Sequence, residues 1–251
     1  MATPGAASGH RRDHARAFGP AAGLYDASRP GYPDAVVDAL LADVPTGTVV
    51  DVGAGTGKLT ALLAARRPDV VAVEPSEGMR TQLAAVLPGV GVLDGAGERI
   101  PVPDGSVAAV LAAQAWHWVD PVAGSAEVVR ALRPGGVLGL VWNTRDEQVD
   151  WVGELGRLLA SADGPGRGRF LPDVRPPLQP LDSGRVDWLQ PMTADRLVDL
   201  VATRSYVLLQ SEADRADLLA AVRELTATHP DLAGRAEFDL PYVAEYWRFR
   251  I

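Results

Sequence analysis

The sequence contains no cysteine in its 251 residues. Disulfide bonds, thiolate catalysis and cysteine-ligated zinc are therefore excluded. No apolar run approaches the ~18 residues that a membrane-spanning helix needs, and residues 1–12 lack the apolar core of a secretory signal. We therefore expect a cytoplasmic protein with no membrane partner.

Basic residues are scarce relative to acidic ones. The chain has 24 Lys and Arg against 32 Asp and Glu, a formal net charge of −8. Sequence-independent binding of nucleic acid needs a basic protein surface, so we expect no nucleic-acid partner. An apolar share of 47% and a charged share of 22% are typical of a globular protein with one large domain or a domain with a lobe. We expect a monomer or a homodimer.

Residues 48–60, T-V-V-D-V-G-A-G-T-G-K-L-T, organise the chain. The β-branched run over 49–52 predicts a short buried strand. Gly53, Gly55 and Gly57 follow at alternate positions, and leucines then recur at helical spacing. Glycine allows a turn that a Cβ disfavours and lets a ligand approach the main chain. Such a turn also leaves free N–H groups at the start of a helix.

The spacing of these glycines decides between nucleotide-binding motifs. A Walker loop, G-x-x-x-x-G-K-[ST], would need glycine where Val52 stands and a hydroxyl residue where Leu59 stands. The dinucleotide pattern G-x-G-x-x-G would need glycine in place of Lys58. What remains is D-x-G-x-G-x-G, beginning at Asp51.

This pattern resembles motif I of the class I S-adenosylmethionine (SAM) methyltransferases. The resemblance implies that the glycine loop passes beneath the methionine and ribose of SAM. Glu74 closes a second predicted strand, Val70–Val73, and is expected to accept hydrogen bonds from both ribose hydroxyls. Met79 is expected near the adenine, although a methionine on a helix is usually core. The implied cofactor residues of these two segments are Asp51, Gly53, Ala54, Gly55, Gly57, Glu74, Pro75 and Met79.

A second resemblance lies upstream, in Y-D-A-S-R-P-G-Y-P over Tyr25–Pro33. It is similar to a segment that folds over SAM as a lid in one branch of these enzymes. The resemblance implies that Tyr25, Arg29 and Tyr32 contact the methionine end of SAM or the substrate. In the alternative, the two tyrosines only pack and Arg29 caps a helix.

The segment Gly95–Ser106, G-A-G-E-R-I-P-V-P-D-G-S, resembles the adenine-reading segment of the family. Many relatives carry aspartate at its second position, where this chain has Ala96. Either backbone groups of Gly97 and Glu98 read the adenine, or the loop aligns differently.

An apolar fourth strand, predicted over Val107–Ala113, leads into Q-A-W-H-W-V-D. This resembles the Q-A-F-H-W-F-D of methyltransferases similar to trans-aconitate methyltransferase. The resemblance implies a polar–aromatic rim around the sulfonium, since aromatic faces attract cations. Its members are Gln114, Trp116, His117 and Trp118, with Trp116 and His117 also facing the acceptor. His117 either accepts a proton from the acceptor or packs as a core histidine.

Asn143 and Arg145 follow the fifth predicted strand, similar to W-N-x-R-D in the family. They belong at the carboxyl end of the sheet, where open α/β sheets bind ligands. We expect both to contact the acceptor, and Arg29 or Arg145 to hold an anionic group through a bidentate contact.

The resemblance implies a Rossmann-like α/β fold. Its seven-stranded, mostly parallel sheet would carry helices on both faces and an α-helical substrate cap. We expect residues 1–12 to be disordered and 13–46 to form the lid and a helix. Residues 47–150 would form the SAM-binding core, and 151–251 the cap and the rest of the sheet.

Five further elements are predicted from the pattern. The first is an amphipathic helix over Asp34–Leu41. A helix over Ala126–Leu132 should end at the R-P-G-G of residues 133–136, with glycine as a left-handed cap. A strand should follow over Val137–Trp142. An edge strand is expected over Val186–Leu189, and a final strand over Phe238–Phe249.

Together these observations predict a SAM-dependent methyltransferase acting on a small molecule. The methyl group would pass to oxygen (a carboxylate included), nitrogen or carbon by in-line displacement, and S-adenosylhomocysteine would leave. Holding the reacting atoms ~3–3.5 Å apart would supply most of the acceleration. The Ala-, Arg- and Gly-rich composition is typical of high-GC genomes, where tailoring methyltransferases of secondary metabolism are common.

Other classes fit the sequence less well. Nucleic-acid amino-methyltransferases usually show [D/N/S]-P-P-[Y/F] after the fourth strand, where this chain has Q-A-W-H. An NAD oxidoreductase is disfavoured by Lys58, and no ligand cluster predicts a metal. The alternative that stays open is a non-catalytic SAM-binding protein, which would bind SAM and never form S-adenosylhomocysteine.

Overall fold

A computed structural model describes residues 30–163 and 171–251. The predicted disordered segment 1–12, the lid residues Tyr25 and Arg29, and most of the lid lie outside these ranges. None of the described helices is both long and apolar enough to cross a membrane.

The strands of the described residues form one seven-stranded sheet. They are β1 (Val49–Val52), β2 (Val70–Val73), β3 (Gly91–Leu93), β4 (Val107–Ala113), β5 (Leu132–Arg145), β6 (Gln179–Met192) and β7 (Phe238–Arg250). Their order is β3-β2-β1-β4-β5-β7-β6. Strands β1 to β5 run parallel, and β7 is antiparallel to both β5 and β6. The fold prediction is confirmed.

Eight α-helices connect or cover the strands in the described residues. They are α1 (Asp34–Leu41), α2 (Lys58–Ala64), α3 (Glu77–Val86), α4 (Pro121–Ala131), α5 (Asp150–Asp163), α6 (Ala194–Ala202), α7 (Ser205–Leu208) and α8 (Glu212–Thr228). A short 3-10 helix spans Trp116–Trp118.

The central strands are buried on both faces. Every residue of β1 is buried, as are six of the seven in β4, and this is why both read as unbroken apolar runs. On one face, Leu40 of α1 and Leu63 of α2 pack in the same cluster as β1 and β4. On the other face, Val128 of α4 packs with Leu140 of β5. The sheet therefore carries helices on both faces.

The chain order of the sheet reverses between β1 and β4. Loops leaving the carboxyl ends of these two strands diverge to opposite sides, which opens a crevice that ligands of such sheets use. The glycine loop follows β1, and the segment beginning at Gln114 follows β4. The two most distinctive motifs of the sequence therefore meet at one place.

The predicted helix over Ala126–Leu132 is wrong at its start, and so is the role of R-P-G-G. Helix α4 begins at Pro121, where the Asp120 carboxylate accepts backbone hydrogen bonds at 3.0 and 2.9 Å. It ends at Ala131, and Leu132 already pairs with Val107 as part of β5. The glycines therefore lie within β5, with Gly135 at φ +76°.

The antiparallel pair of strands β6 and β7 reaches beyond the carboxyl end of β5. Arg145, the last residue of β5, pairs with Tyr242, so Phe238 and its neighbours project past the parallel strands. Helices α5, α6, α7 and α8 pack on this projection in one apolar cluster, which includes Trp151, Leu197 and Val222. We call these four helices the cap, and they lie at the ligand-binding edge of the sheet.

Candidate active site

The glycine loop needs glycine for conformation and for space. Gly53, Gly55 and Gly57 have φ of +68°, +57° and +96°, in the left-handed region that side chains disfavour. A Cβ on Gly53 would lie 2.5 Å from the Cβ of Ala115, whereas one on Gly55 would meet nothing closer than Met79 Sδ at 3.9 Å. The loop thus packs against the segment after β4 at Gly53 and leaves space beside Gly55.

Glu74, at the end of β2, holds the glycine loop in place. Its buried carboxylate accepts a hydrogen bond from Gly55 N at 2.9 Å through Oε2, and from Ser76 N at 2.8 Å through Oε1. Burial raises its pKa, and these two amide hydrogen bonds oppose the rise. Each oxygen keeps a lone pair, so the carboxylate retains capacity for ribose hydroxyls.

Asp51 lies buried at the end of β1. Its Oδ2 accepts a hydrogen bond from Thr60 Oγ1 at 2.6 Å, while Oδ1 has no hydrogen-bond partner among the described residues. Burial raises the pKa of Asp51 to about 7; the Thr60 hydrogen bond opposes this and the nearby charge of Glu74 adds to it. Sequence reasoning identified Asp51 and missed Thr60, whose hydroxyl reaches the strand end only through the turn of α2.

Three other predicted cofactor residues lie beside this loop. Met79 is buried in the first turns of α3 and faces Gly55. Ala54 donates its N–H to Val73 O at 3.2 Å, which fixes the loop against β2. Pro75 stands between Glu74 and the start of α3. Their contacts with SAM stay predictions.

The predicted adenine-reading loop packs against the segment after β4. A Cβ on Gly97 would lie 2.5 Å from Val119 Cγ2, so only glycine fits there. Glu98 accepts a hydrogen bond from Asp120 N at 2.9 Å. The loop therefore borders the crevice, and its role in reading adenine stays a prediction.

Trp116, one of the residues predicted to form a rim after β4, lies in the core. It is 2% exposed, and its indole N–H donates to Asp173 O at 3.0 Å. Gln114 stands at the strand end with φ +55°, and its side chain donates to Asn143 O at 2.7 Å. Trp116 therefore anchors the segment around Asp173, and its contact with the acceptor stays a prediction.

His117 and Trp118 lie nearer the surface. The His117 ring is 4.7 Å from the Trp118 ring and 6.1 Å from the Trp142 ring, measured between centroids. Trp118 is 37% exposed. This aromatic setting agrees with packing of His117 and does not test its action as a base.

Asn143 is buried and joins three parts of the chain. Its side-chain amide donates to Gly31 O at 2.7 Å, and its side-chain oxygen accepts from Trp188 Nε1 at 3.3 Å. It therefore holds the segment before α1 against β5 and β6. Tyr32 is half-buried and packs on the cluster beneath α1. Asn143 thus has a positioning role, and the acceptor and SAM contacts predicted for Asn143 and Tyr32 stay predictions.

Arg145 ends β5 beneath the cap, and its side chain is only 12% exposed. Burial lowers its pKa, and the nearby Arg204 adds to this. Sequence reasoning missed Arg204, which lies between α6 and α7 outside every motif. Only the packing of the cap brings the two arginines together.

The residues at the crevice fit SAM. Space lies open beside Gly55, and Glu74 has acceptor capacity next to it. Asp51 Oδ1 is a buried acceptor with no partner in the part of the chain that the structure describes. Donors of a ribose and an amino acid would satisfy such oxygens, whereas a phosphate would be repelled by two carboxylates.

The comparisons with known proteins agree with this geometry. The family described as "Methyltransferase domain" matches residues 50–140. A methyltransferase of Mycobacterium tuberculosis, itself uncharacterized, is 48% identical over 234 residues, which cover 93% of this chain and 95% of that protein. The chain therefore belongs to the methyltransferase family.

Solved structures show the same architecture. A protein assigned as a type II methyltransferase from Anaeromyxobacter dehalogenans superposes with a TM-score of 0.71 at 26% identity, over 88% of this chain and 96% of that one. A second, assigned to an antibiotic biosynthesis pathway in Anabaena variabilis, gives 0.58 at 23% identity over 85% and 96%, and shows the fold alone. The protein is a class I SAM-dependent methyltransferase, while the likeness to trans-aconitate methyltransferase stays a prediction.

We predict that Glu74→Ala weakens SAM binding at least tenfold, because each charged hydrogen bond lost to a ribose hydroxyl is worth about 1.5–3 kcal/mol. It should also lower the free energy of unfolding, since the amides of Gly55 and Ser76 lose their acceptor. Calorimetry below the unfolding transition separates the two effects. Glu77→Ala, at an exposed carboxylate on the next turn, is the control. Equal SAM affinity in both variants would contradict the ribose contact.

We predict a pH-dependent stability that Asp51→Asn removes. Between an ordinary aspartate pKa of 3.8 and about 7, the folded protein binds a proton that the unfolded chain releases. The free energy of unfolding of the wild type should therefore fall through this window, relative to Asp51→Asn, and level off above it. Urea unfolding across the window measures this, with the exposed Asp69→Asn as control. Parallel curves for wild type and Asp51→Asn would show that Asp51 ionises without penalty.

Proposed function

We propose that this methyltransferase acts on a small-molecule acceptor, at an oxygen (a carboxylate included), a nitrogen or a carbon. The observation that carries the proposal is the position of the cap. The antiparallel pair of strands β6 and β7 extends past β5 at the carboxyl edge, and four helices pack on it there. A roof at that edge encloses a small acceptor and leaves little room for a macromolecule.

The charge of the chain supports the same proposal. A net charge of −8 disfavours a polyanionic substrate such as nucleic acid. One apolar cluster, which includes Trp151 and Tyr242, joins the cap to strands β6 and β7, and this favours a fixed roof over an open docking face.

In the proposed reaction the protein binds SAM and the acceptor and aligns their reacting atoms. SAM, when bound, supplies an activated methyl group on a sulfonium. Glu74 and the glycine loop would hold the nucleoside and amino-acid parts, and the segment from Gln114 would border the reacting atoms. The hydrogen bond from Gln114 to Asn143 O, together with the φ of +55° at Gln114, fixes the end of β4 against β5. Alignment of this kind supplies about 7–11 kcal/mol of a barrier.

The proposal predicts SAM binding and turnover. SAM should bind in the micromolar range, about −8 kcal/mol, and NAD far more weakly by calorimetry. S-adenosylhomocysteine should form when the protein meets one member of a panel of small carboxylic acids, phenols and amines, and should form far more slowly with Glu74→Ala. Tight SAM binding without product from any acceptor would favour a non-catalytic SAM-binding protein, and tighter NAD binding would overturn the cofactor assignment.

A second prediction separates packing from base catalysis at His117. We expect His117→Phe to keep the chemical step near the wild-type rate, because a ring still fills the space beside Trp118 and Trp142. His117→Asn should chiefly lower stability. Single-turnover methyl transfer between about pH 5 and 8, where histidines ordinarily change charge, measures this. A loss of about 10²–10⁴-fold in both variants, with loss of the acid limb, would identify a general base instead.

A further inference from the structure

Two arginine side chains lie together beneath the cap, at the carboxyl end of β5. Arg145 is 12% exposed, and Arg204 lies close enough to lower its pKa. The Nε atoms of both are buried and make no hydrogen bond within the described residues. Buried guanidinium groups are normally paired, so two unsatisfied donors in one place are unusual.

The local charge is not balanced. Arg145 Nη2 lies 3.1 Å from Glu147 Oε1, but the Glu147 side chain is 55% exposed and faces solvent. No described carboxylate lies within ion-pair distance of Arg204, whose guanidinium is 6.0 Å from the Tyr206 ring centroid. One exposed carboxylate therefore accompanies two cations.

Strand register places Arg145 beside two aromatic side chains. Arg145 on β5 pairs with Tyr242 on β7, which pairs with Trp188 on β6. Residues in one such row point to the same face of a sheet. The Trp188 and Tyr242 rings stack 5.3 Å apart, and Trp188 donates to Asn143 on that face. A ligand bound there would meet two guanidinium groups and an aromatic surface.

We propose that Arg145 and Arg204 form a subsite for an anionic group on the methyl acceptor, either a carboxylate or a phosphate monoester. This rests on the proposed small-molecule function. Guanidinium groups bind both anions through paired N–H donors, and a position beneath the cap shields the contact from water. The acceptor would be an organic acid or phosphate with an apolar body.

The first test is the stability of the ligand-free protein. If Arg204 serves to bind a ligand, its charge has no partner in the ligand-free protein and destabilises it. Arg204→Gln should then raise the melting temperature by about 2 °C or more. If Arg204 is structural, the same change should lower it. Arg196→Gln, on the exposed side of α6, is the matched control and should leave the melting temperature unchanged.

The second test is binding, measured by calorimetry on protein saturated with S-adenosylhomocysteine. The probes are benzoate, phenyl phosphate and neutral benzamide. Benzoate or phenyl phosphate should bind the wild type and the Arg196→Gln control. Either should bind at least tenfold more weakly to Arg204→Gln and to Arg145→Gln. Benzamide should bind poorly to all four proteins, and the better anion identifies the acceptor's acidic group.

Several results would overturn the subsite. These are no binding of either anion to the wild type, equal binding of benzamide, or unchanged anion affinity in Arg204→Gln. A lower melting temperature for Arg204→Gln would also overturn it. All of these leave SAM binding and S-adenosylhomocysteine formation untouched, so the subsite can fail while the methyltransferase function stands. Failure of SAM to bind would instead overturn the function itself.

Discussion

The carboxylate of Glu74 is the contact on which the active-site architecture depends. It lies at the end of β2 and accepts one amide from the glycine loop and one from the start of α3. Two connections that leave neighbouring strands are thereby tied to a single side chain. Because the glycine loop also packs on Ala115, the position of this carboxylate sets the spacing between the ends of β1, β2 and β4.

This arrangement also explains why two buried carboxylates can stand so near each other. Both oxygens of Glu74 accept backbone N–H groups, whereas the hydrogen bonds of Asp51 come from Thr60 alone and leave Oδ1 without a partner in the described residues. Burial therefore raises the pKa of Asp51 to about 7. A site with one fully hydrogen-bonded and one partly hydrogen-bonded carboxylate is stabilised by a ligand that brings donors or positive charge to the second.

The central fold could be read from the sequence because its signals are local. Strands β1, β2 and β4 and helix α1 have the predicted bounds, since buried apolar runs between turn residues leave little ambiguity. The lengths of β5 and β6 could not be read, because both are set by pairing with β7, far along the chain. R-P-G-G has the composition of a helix stop, and the ladder with β4 overrides it.

The candidate site, like the fold, could be predicted from the sequence only in part. The glycines and the two carboxylates could be identified from the sequence, because their spacing is the pattern that predicts the cofactor site. The burial of Trp116 could not be predicted, because an aromatic residue in a motif has the same sequence pattern whether it lines a crevice or fills a core. No sequence motif marks Arg204, since its surroundings form only when the helices of the cap pack together.

The place of β7 in the sheet has a consequence for synthesis on the ribosome. Within the described residues, β6 has β7 as its only neighbour, yet β7 is made later. The five parallel strands can pair as they emerge, while one edge of β5 and all of β6 stay without a partner strand until β7 is made. Uncovered strand edges favour wrong association, so this interval is when the nascent chain most needs protection. A chain interrupted before Phe238 would carry cap helices without the strand on which they pack, and two strands open to aggregation.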